Sequence, residues 1–457
     1  MIAAALVALA LSQSPGVLTL GQALKDAQAH NPDLQVAQAR LQQAKQLSWK
    51  VWAGYLPQVS VGGSYTRNNV EAKIRLPVTY VVRQLPGPTS APGDYSDPAF
   101  PPNTPTPYIA LPSLTNAIEA VIQRQDQLGA QAQATQALIV PALWPAIANA
   151  YTAEKAAAFG TETARREILF GVAQLYYGAA GLRTAIGVQE RLLALARERE
   201  KDADLRFRAG AALKLVLVRT QIDRSRAEQD LIRAQNAYAS AKQALATLLD
   251  RAPDFEVEQP ASPSLPADTA SLKAQVLDQR PDVAAARASE DLARGLRLGT
   301  WFKYLPSVVG TGSYRVTNVK GFTGTYDAWT LGLGLNWTIL DGFAREAEAR
   351  ENDARVAEAA AARHSAENKA NDELARAFLD LDNARASKVK AEEQLKLARE
   401  SFQLAKVNLQ AGAASDLDVQ EAQAALTGAE TAAVAEALSS DLSALRVLKA
   451  AGAFNPQ

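Results

Sequence analysis

Three acidic residues follow a glycine turn near the end of the chain: Asp416, Asp418 and Glu421 lie just after Gly412. Carboxylates attract cations, and residues three positions apart share one face of a helix. Negative side chains also favour the positive N-terminal end of a helix. The residues alone therefore predict that a helix begins here.

No group of residues in the sequence forms a pattern typical of a catalytic or metal-binding site. His30 and His364 are isolated and lie far apart, which is not a metal-binding spacing. Cysteine is absent, which excludes disulfides, thiolate metal sites and a lipid-carrying N-terminal cysteine. The sequence also lacks a nucleophile motif and a phosphate-binding loop. We therefore predict no catalytic residues, no metal and no cofactor, and a protein that is not an enzyme.

Composition favours long helices. The 457 residues are rich in Ala, Glu, Lys, Leu, Arg and Gln, and aromatic residues make up only 6%. Lys plus Arg and Asp plus Glu both number 48, so the net charge is zero and no basic field exists to attract nucleic acid. We expect an extended helical architecture and no nucleic-acid partner.

The chain begins with a short apolar run. Residues 1–14 are too short to span a bilayer and are typical of a signal peptide for export, here without its usual basic start. No later stretch reaches the roughly 18 uninterrupted apolar residues of a transmembrane helix. Any membrane crossing must therefore be made by strands.

The chain is internally duplicated. Tyr55-Leu56-Pro57 recurs 249 residues later as Tyr304-Leu305-Pro306, whereas the Ala-Gly-Ala-Ala segment at Gly210 recurs 202 residues later at Gly412. The first half therefore contains 47 additional residues. We predict a first repeat at 15–251, a linker at 252–270, a second repeat at 271–451 and a tail at 452–457.

The additional residues are rich in proline. Residues 74–113 contain ten of the 22 prolines, which excludes a helix or a central strand. We predict an inserted loop over 74–113.

Each repeat contains two predicted strands, at about 56–68 and 128–139 and at about 305–317 and 327–340. The last strand alternates most clearly, with an apolar side chain at every second position and small or polar residues between. Such alternation, with Trp near each end, is typical of a lipid-facing strand. Four strands cannot close a barrel, so closure requires other copies, and the residues alone do not choose between two and three. The residues predicted to face lipid are Trp329, Leu331, Leu333, Leu335, Trp337 and Ile339.

Long helices follow each pair of strands. We predict helices at about 142–208 and 342–408, each on the order of 100 Å long at 1.5 Å per residue. Each ends at a glycine turn, Gly210 or Gly412, and is followed by a return helix at about 213–250 or 415–451. The abundant alanine permits close helix packing in a wall similar to a coiled coil.

In the order of these elements, residues 18–451 resemble the TolC-like outer-membrane factors, also called outer membrane efflux proteins. The resemblance is carried by Arg280-Pro281-Asp282 and its counterpart at Pro32, by the two Tyr-Leu-Pro motifs, by the strand end from Trp337 to Gly342, and by the turn and helix start from Leu409 to Val419. It implies a homotrimer with a 12-stranded β-barrel in the lipid of the outer membrane, continued by a long α-helical barrel in the periplasm. It also implies a passive channel that binds a periplasmic adaptor (membrane fusion) protein and an inner-membrane transporter.

The resemblance also implies roles for the helical turns. Asp418 and Glu421 would lie at a periplasmic gate, where threefold repetition would form a ring of six carboxylates. The family commonly has two aspartates here, and Glu421 departs from that pattern. The residues expected to contact the adaptor are Phe207, Arg208, Gly210, Ala211, Gln410, Gly412, Ala413 and Ser415.

We therefore expect the outer-membrane exit duct of a tripartite efflux system that exports small molecules. The same channel could instead serve type I protein secretion, and nothing in the sequence separates the two. A soluble periplasmic coiled-coil scaffold is an alternative of another class, which the alternating strand at 329–339 disfavours.

Overall fold

The computed structural model describes residues 16–76, 79–84, 108–113, 118–265, 276–320 and 324–454. The predicted signal peptide at 1–14 and most of the proline-rich segment lie outside these residues. The described chain forms two compact units. The sheet unit lies within Lys50–Pro145 and Gly299–Arg345, and the other described residues form the helical unit.

Helices dominate the described chain, so the predicted mainly helical fold class is confirmed. The two longest helices contain 66 and 67 residues, and their abundant Ala, Glu, Arg and Leu have high helix propensity. The helices are α1 (Leu20–His30), α2 (Pro32–Trp52), α3 (Leu143–Arg208), α4 (Lys214–Leu249), α5 (Pro281–Phe302), α6 (Ala344–Gln410) and α7 (Asp416–Ala450).

The strands form one four-stranded sheet and three two-stranded sheets. The four-stranded sheet is antiparallel, with the order β10, β9, β7, β2. The strands are β1 (Gly16–Leu18), β2 (Gln58–Arg67), β3 (Ala72–Leu76), β4 (Thr79–Gln84), β5 (Tyr108–Ser113), β6 (Ile118–Gln123), β7 (Asp126–Ile139), β8 (Phe255–Val257), β9 (Ser307–Thr317) and β10 (Asp327–Asn336).

The last strand ends earlier than its alternation predicts. The strand predicted over 327–340 stops at Asn336, which pairs with Ser307, the first residue of β9. The residue before Ser307 is Pro306, which has no backbone N–H to extend the ladder. Beyond this point the Trp337 indole N–H donates to the carbonyl oxygen of Tyr304, at 3.1 Å.

The prediction of a loop over 74–113 is wrong at both ends of that range. Strand β3 pairs with β6, and β4 pairs with β5, so the insertion begins and ends as antiparallel ribbon. Pro112 lies inside β5, opposite Tyr80. Each strand of a two-stranded sheet has one edge outside the ladder, and a proline is tolerated at such an edge because no hydrogen bond is lost there.

The predicted linker is more than a spacer, because it contains β8. This strand pairs in parallel with β1, with Gly16 opposite Phe255 and Leu18 opposite Val257. Phe255 and Val257 alternate with Glu256, so both apolar side chains point to one face, where they are fully buried. They join the main core of the helical unit.

Buried tyrosines connect α3 to this strand pair. The Tyr176 hydroxyl lies 2.8 Å from the Leu18 carbonyl oxygen and 2.9 Å from that of Glu258. The neighbouring Tyr177 hydroxyl donates to the Ala261 carbonyl oxygen at 2.7 Å. These bonds tie α3 to the ends of the two strands and to the segment that follows β8.

Candidate functional site

The two long helices end in the same local structure. Gly210 and Gly412 have φ angles of 73° and 76°, a left-handed conformation that favours glycine. After each glycine, the next N–H bonds a carbonyl five residues back: Ala211 to Arg206 and Ala413 to Asn408, both at 2.8 Å. This is the Schellman motif, so both glycines end a helix irrespective of any further role.

The residues predicted to bind an adaptor lie at these two turns. All eight are exposed on the single chain. They are Phe207, Arg208, Gly210 and Ala211 at the first turn, and Gln410, Gly412, Ala413 and Ser415 at the second.

Asp418 caps the N-terminus of α7. Its carboxylate accepts the Ser415 backbone N–H at 2.7 Å and the Ser415 hydroxyl at 2.8 Å, while Ser415 Oγ accepts the Asp418 N–H at 3.3 Å. This is a capping box with Asp at the third helical position. The backbone hydrogen bond, and then the hydroxyl hydrogen bond, hold the pKa of Asp418 below its usual value. The helix start predicted from the residues is therefore present.

Glu421 lies on the same helix and is exposed. It makes no hydrogen bond or ion pair with another described residue, and it takes no part in the capping box. The two acidic residues of the predicted gate thus differ, because only Asp418 is held by local bonds.

Two arginines on α3, not identified from the sequence, reach the start of α7. The Arg199 guanidinium donates a hydrogen bond to Gln423 Oε1, and Arg206 Nη1 lies 3.9 Å from Asp416 Oδ1. Burial lowers the pKa of Arg199, while Asp223 and Asp416 act in the opposite direction. The arginines are seven residues apart on one helix face, which is the only sequence signal that would have grouped them.

The same contacts surround a cavity of about 100 Å³ between the helix ends. Arg199 and Arg206 line it from α3, Lys406 from α6 and Asp416 from α7. Lys406 also lies 3.7 Å from Glu198. Charged side chains therefore connect the two halves of the duplication close to both turns.

The four-stranded sheet has two different faces. The register places Trp329 opposite Tyr314, and Leu335 opposite Val308, on the same face as Val61 of β2. The opposite face carries hydroxyl and amide side chains, exemplified by Gln133 opposite Ser313. We call these the apolar face and the polar face.

The predicted lipid-facing residues are exposed on the single chain. Leu331 and Leu333, on the apolar face of β10, are 79% and 78% exposed. Trp337 and Ile339 also remain exposed, but they lie beyond the end of the strand. A continuous row of large, exposed apolar side chains is unusual for a surface in water.

Among the described residues, no group of three or more His, Cys, Asp and Glu side chains could hold a metal ion. The His30 ring contacts the Asp26 carbonyl oxygen, and the His364 ring contacts Asn368, each at 3.2 Å. In the part of the chain that the structure describes, no helix is both long and apolar enough to cross a membrane.

Part of the chain matches a known protein family. Residues 272–453 match the model of the family described as outer membrane efflux protein. The predicted resemblance to this family is confirmed over these residues, which lie almost entirely in the second repeat. No match was found among curated proteins.

Solved structures of outer-membrane channels share the fold. The outer membrane protein VceC of Vibrio cholerae is 20% identical, with 95% of this chain and 96% of that chain covered and a TM-score of 0.72. The Campylobacter jejuni CmeC channel is 16% identical over 95% and 85%, also with a TM-score of 0.72. The open state of the Neisseria gonorrhoeae MtrE channel is 17% identical over 96% and 90%, with a TM-score of 0.72. The matched family and structures are those of channel proteins rather than enzymes.

Proposed function

We propose that this protein is the outer-membrane exit duct of a tripartite efflux system, because residues 272–453 match the model of the outer membrane efflux protein family. It provides a passive route for small molecules from the periplasm, or from an inner-membrane transporter, to the outside. The observation that carries this proposal is the two-faced sheet, with an exposed apolar row on one side and hydroxyl and amide groups on the other.

Three copies complete the membrane-spanning part. Strands β10 and β2 lie at the two edges of the four-stranded sheet, and each has a single strand neighbour. Unpaired backbone groups cost several kcal/mol each in hydrocarbon, so β10 of one copy pairs with β2 of the next. A homotrimer closes a 12-stranded barrel with the apolar face toward lipid and the polar face toward the lumen.

The helical part associates through exposed apolar stripes. Leu215, Val218 and Ile222 lie on α4 at the alternating three- and four-residue spacing of a coiled-coil seam, and all three are exposed on the single chain. Leu397 and Leu404 form a similar row on α6. These rows pack between neighbouring copies and form a long α-helical barrel in the periplasm.

The helix ends form the gate and the adaptor site. Asp418 and Glu421 contribute to an acidic ring at the periplasmic end, and the contacts of Arg199 and Arg206 with α7 hold this end closed. The turns at Gly210 and Gly412 contact the periplasmic adaptor protein. We expect bulky substitutions at these glycines to abolish transport while trimers persist, and normal transport in such variants would argue against the adaptor site.

The membrane assignment is tested by placing one charge on either face of the sheet. Leu333→Arg puts a cation on the apolar face, at a cost of about 2–4 kcal/mol near the middle of a bilayer. Gln133→Arg puts the same side chain on the polar face and is the matched control. We expect Leu333→Arg alone to be lost from the outer-membrane fraction.

If Leu333→Arg and Gln133→Arg were present in the outer-membrane fraction in equal amounts, the assignment of the apolar face to lipid and the polar face to the lumen would be wrong. Purified wild-type protein should also extract only with detergent, migrate as a trimer and conduct ions in a planar bilayer. A water-soluble particle without conductance would contradict the channel and favour a periplasmic scaffold. Loss of small-molecule resistance in a deletion strain, with protein secretion unchanged, would separate efflux from type I secretion.

A further inference from the structure

The polar face of the four-stranded sheet carries a single charged residue. Along all four strands, its polar side chains are Ser, Thr, Gln and Asn, apart from Arg315 on β9. The other charged residues of this sheet, Arg67, Asp126 and Asp327, belong to the apolar face at the loop ends of their strands. Arg315 therefore lies on a face of the sheet that is otherwise uncharged.

Arg315 has small or neutral neighbours on both sides. It lies opposite Ala328 of β10 and opposite Gln131 of β7. Its side chain is exposed and makes no ion pair with a carboxylate of the described chain. By contrast, Arg67 lies 3.9 Å from Asp126, which also accepts a hydrogen bond from Tyr65. The charge of Arg315 is thus available to ions that pass along the polar face.

We propose that Arg315 gives the lumen of the β-barrel a preference for anionic over cationic solutes. In a closed trimer the polar face lines the lumen, and the three copies of Arg315 form a ring of positive charge. Rings of charged side chains select ions of opposite sign in pores. This inference rests on the proposed function, because an open sheet in water would have no lumen to line.

Because the chain contains no cysteine, a single cysteine can be introduced and modified chemically. The charge at position 315 can then be changed on a channel that has already folded. In Arg315→Cys, a thiol-directed methanethiosulfonate reacts only with the introduced side chain. A positively charged reagent restores the charge of arginine, and a negatively charged reagent of similar size reverses it. Arg67→Cys, on the apolar face of the same sheet, is the matched control.

Reversal potentials are measured across a KCl gradient in planar bilayers. We expect Arg315→Cys to shift the reversal potential toward greater cation preference, the negative reagent to increase that shift, and the positive reagent to return it to the wild-type value. The shifts should shrink as the salt concentration rises, because the Debye length falls from about 10 Å at 0.1 M to about 3 Å at 1 M. The same treatments of Arg67→Cys should leave the reversal potential unchanged.

The outcomes separate this inference from the proposed function. Wild-type channels that conduct, combined with a reversal potential that neither reagent changes in Arg315→Cys, would overturn the role of Arg315 alone. Equal shifts in Arg67→Cys would also overturn it, because the effect would then be a general surface charge. A wild-type protein without conductance would overturn the channel function and this inference with it.

Discussion

The Asp418 carboxylate of α7 lies 2.7 Å from the backbone nitrogen and 2.8 Å from the hydroxyl oxygen of Ser415, and it accepts hydrogen bonds from both. A change of Asp418 to Ala would therefore remove a helix cap together with a negative charge. Any increase in current after such a change would have two explanations. Glu421 provides the cleaner test, because it lies outside the capping box.

We predict that Glu421→Gln raises the resting cation current of the channel. The substitution keeps the size of the side chain and removes one of the two carboxylates proposed for the acidic ring. Because cations bound between the carboxylates offset their repulsion and hold the closed ring together, weaker cation binding lets the ring open. Ser415→Ala is the control, since it should destabilise the start of α7 by about 1 kcal/mol without a change in charge. Single-channel recording compares the two variants, and a larger current in Ser415→Ala than in Glu421→Gln would favour a purely structural role for this region.

The contact between Arg199 and Gln423 should contribute more to closure than the contact between Arg206 and Asp416. Arg206 and Asp416 are 47% and 45% exposed and 3.9 Å apart, and exposed pairs of this kind contribute about 0–1 kcal/mol. Arg199 is half-buried and hydrogen-bonded. We predict that Arg199→Ala opens the resting channel, whereas Arg206→Ala has little effect.

A double-mutant cycle, measured by the resting conductance, tests whether Arg199 acts through Gln423. If Arg199 acts through Gln423, the effects of Arg199→Ala and Gln423→Ala will not add. Additive effects would show that Arg199 acts through a residue other than Gln423. An unchanged conductance in Arg199→Ala would show that this contact does not help to close the channel.

Local patterns in the sequence were sufficient to predict the four long helices and the two glycine turns between them. The long helices follow from runs rich in Ala and Glu, and both turns follow from glycines that adopt positive φ angles. The alternation in β10 likewise marked one face of the sheet. Each of these signals lies within about ten residues of the structure that it determines.

Contacts between distant segments could not be predicted. Strand β8 has only three residues, and its partner β1 lies more than 230 residues earlier in the chain. The two ribbons of the insertion could not be predicted from its many prolines. A proline is tolerated in an edge strand, and composition does not distinguish an edge strand from a loop. The contacts of Arg199 and Arg206 with α7 depend on how the two repeats pack together, which no local spacing encodes.

The buried tyrosines should make stability depend on pH in the alkaline range. Burial raises the pKa of Tyr176 to about 12, and it does the same for Tyr177. The native state therefore binds these protons more tightly than the unfolded chain, whose tyrosine pKa is about 10. The resulting stability is fully present below pH 10 and is lost as pH rises toward 12.

We predict that the combined variant Tyr176→Phe with Tyr177→Phe is less stable at neutral pH and loses less stability between pH 10 and 12. Removal of each hydroxyl takes away a hydrogen bond to a backbone carbonyl, at a cost of about 0.5–1.5 kcal/mol. Tyr151→Phe, at an exposed position of the same helix, is the control. Thermal unfolding in detergent at several pH values would contradict the assignment if the variant and the wild type lost stability in parallel.

A close approach between two helices should make substitution of one glycine destabilising. A Cβ atom added at Gly295 of α5 would lie 1.9 Å from Asn149 Oδ1 and 2.9 Å from Asn149 Cγ of α3, whereas one added at Gly160 of α3 would meet nothing within 4 Å. In a helix interior, Ala is favoured over Gly by about 1 kcal/mol. We therefore predict that Gly160→Ala raises the melting temperature. Gly295→Ala should lower it, with a net loss of about 1–3 kcal/mol from overpacking.

The clash itself can be tested by removing its other partner. In the background of Asn149→Ala the added methyl group no longer meets the amide, so Gly295→Ala should become neutral or stabilising. Thermal unfolding of the four proteins in detergent measures this reversal of sign. If Gly295→Ala remains destabilising by the same amount without Asn149, the glycine is required for another reason, and the close approach of α5 to α3 does not explain it.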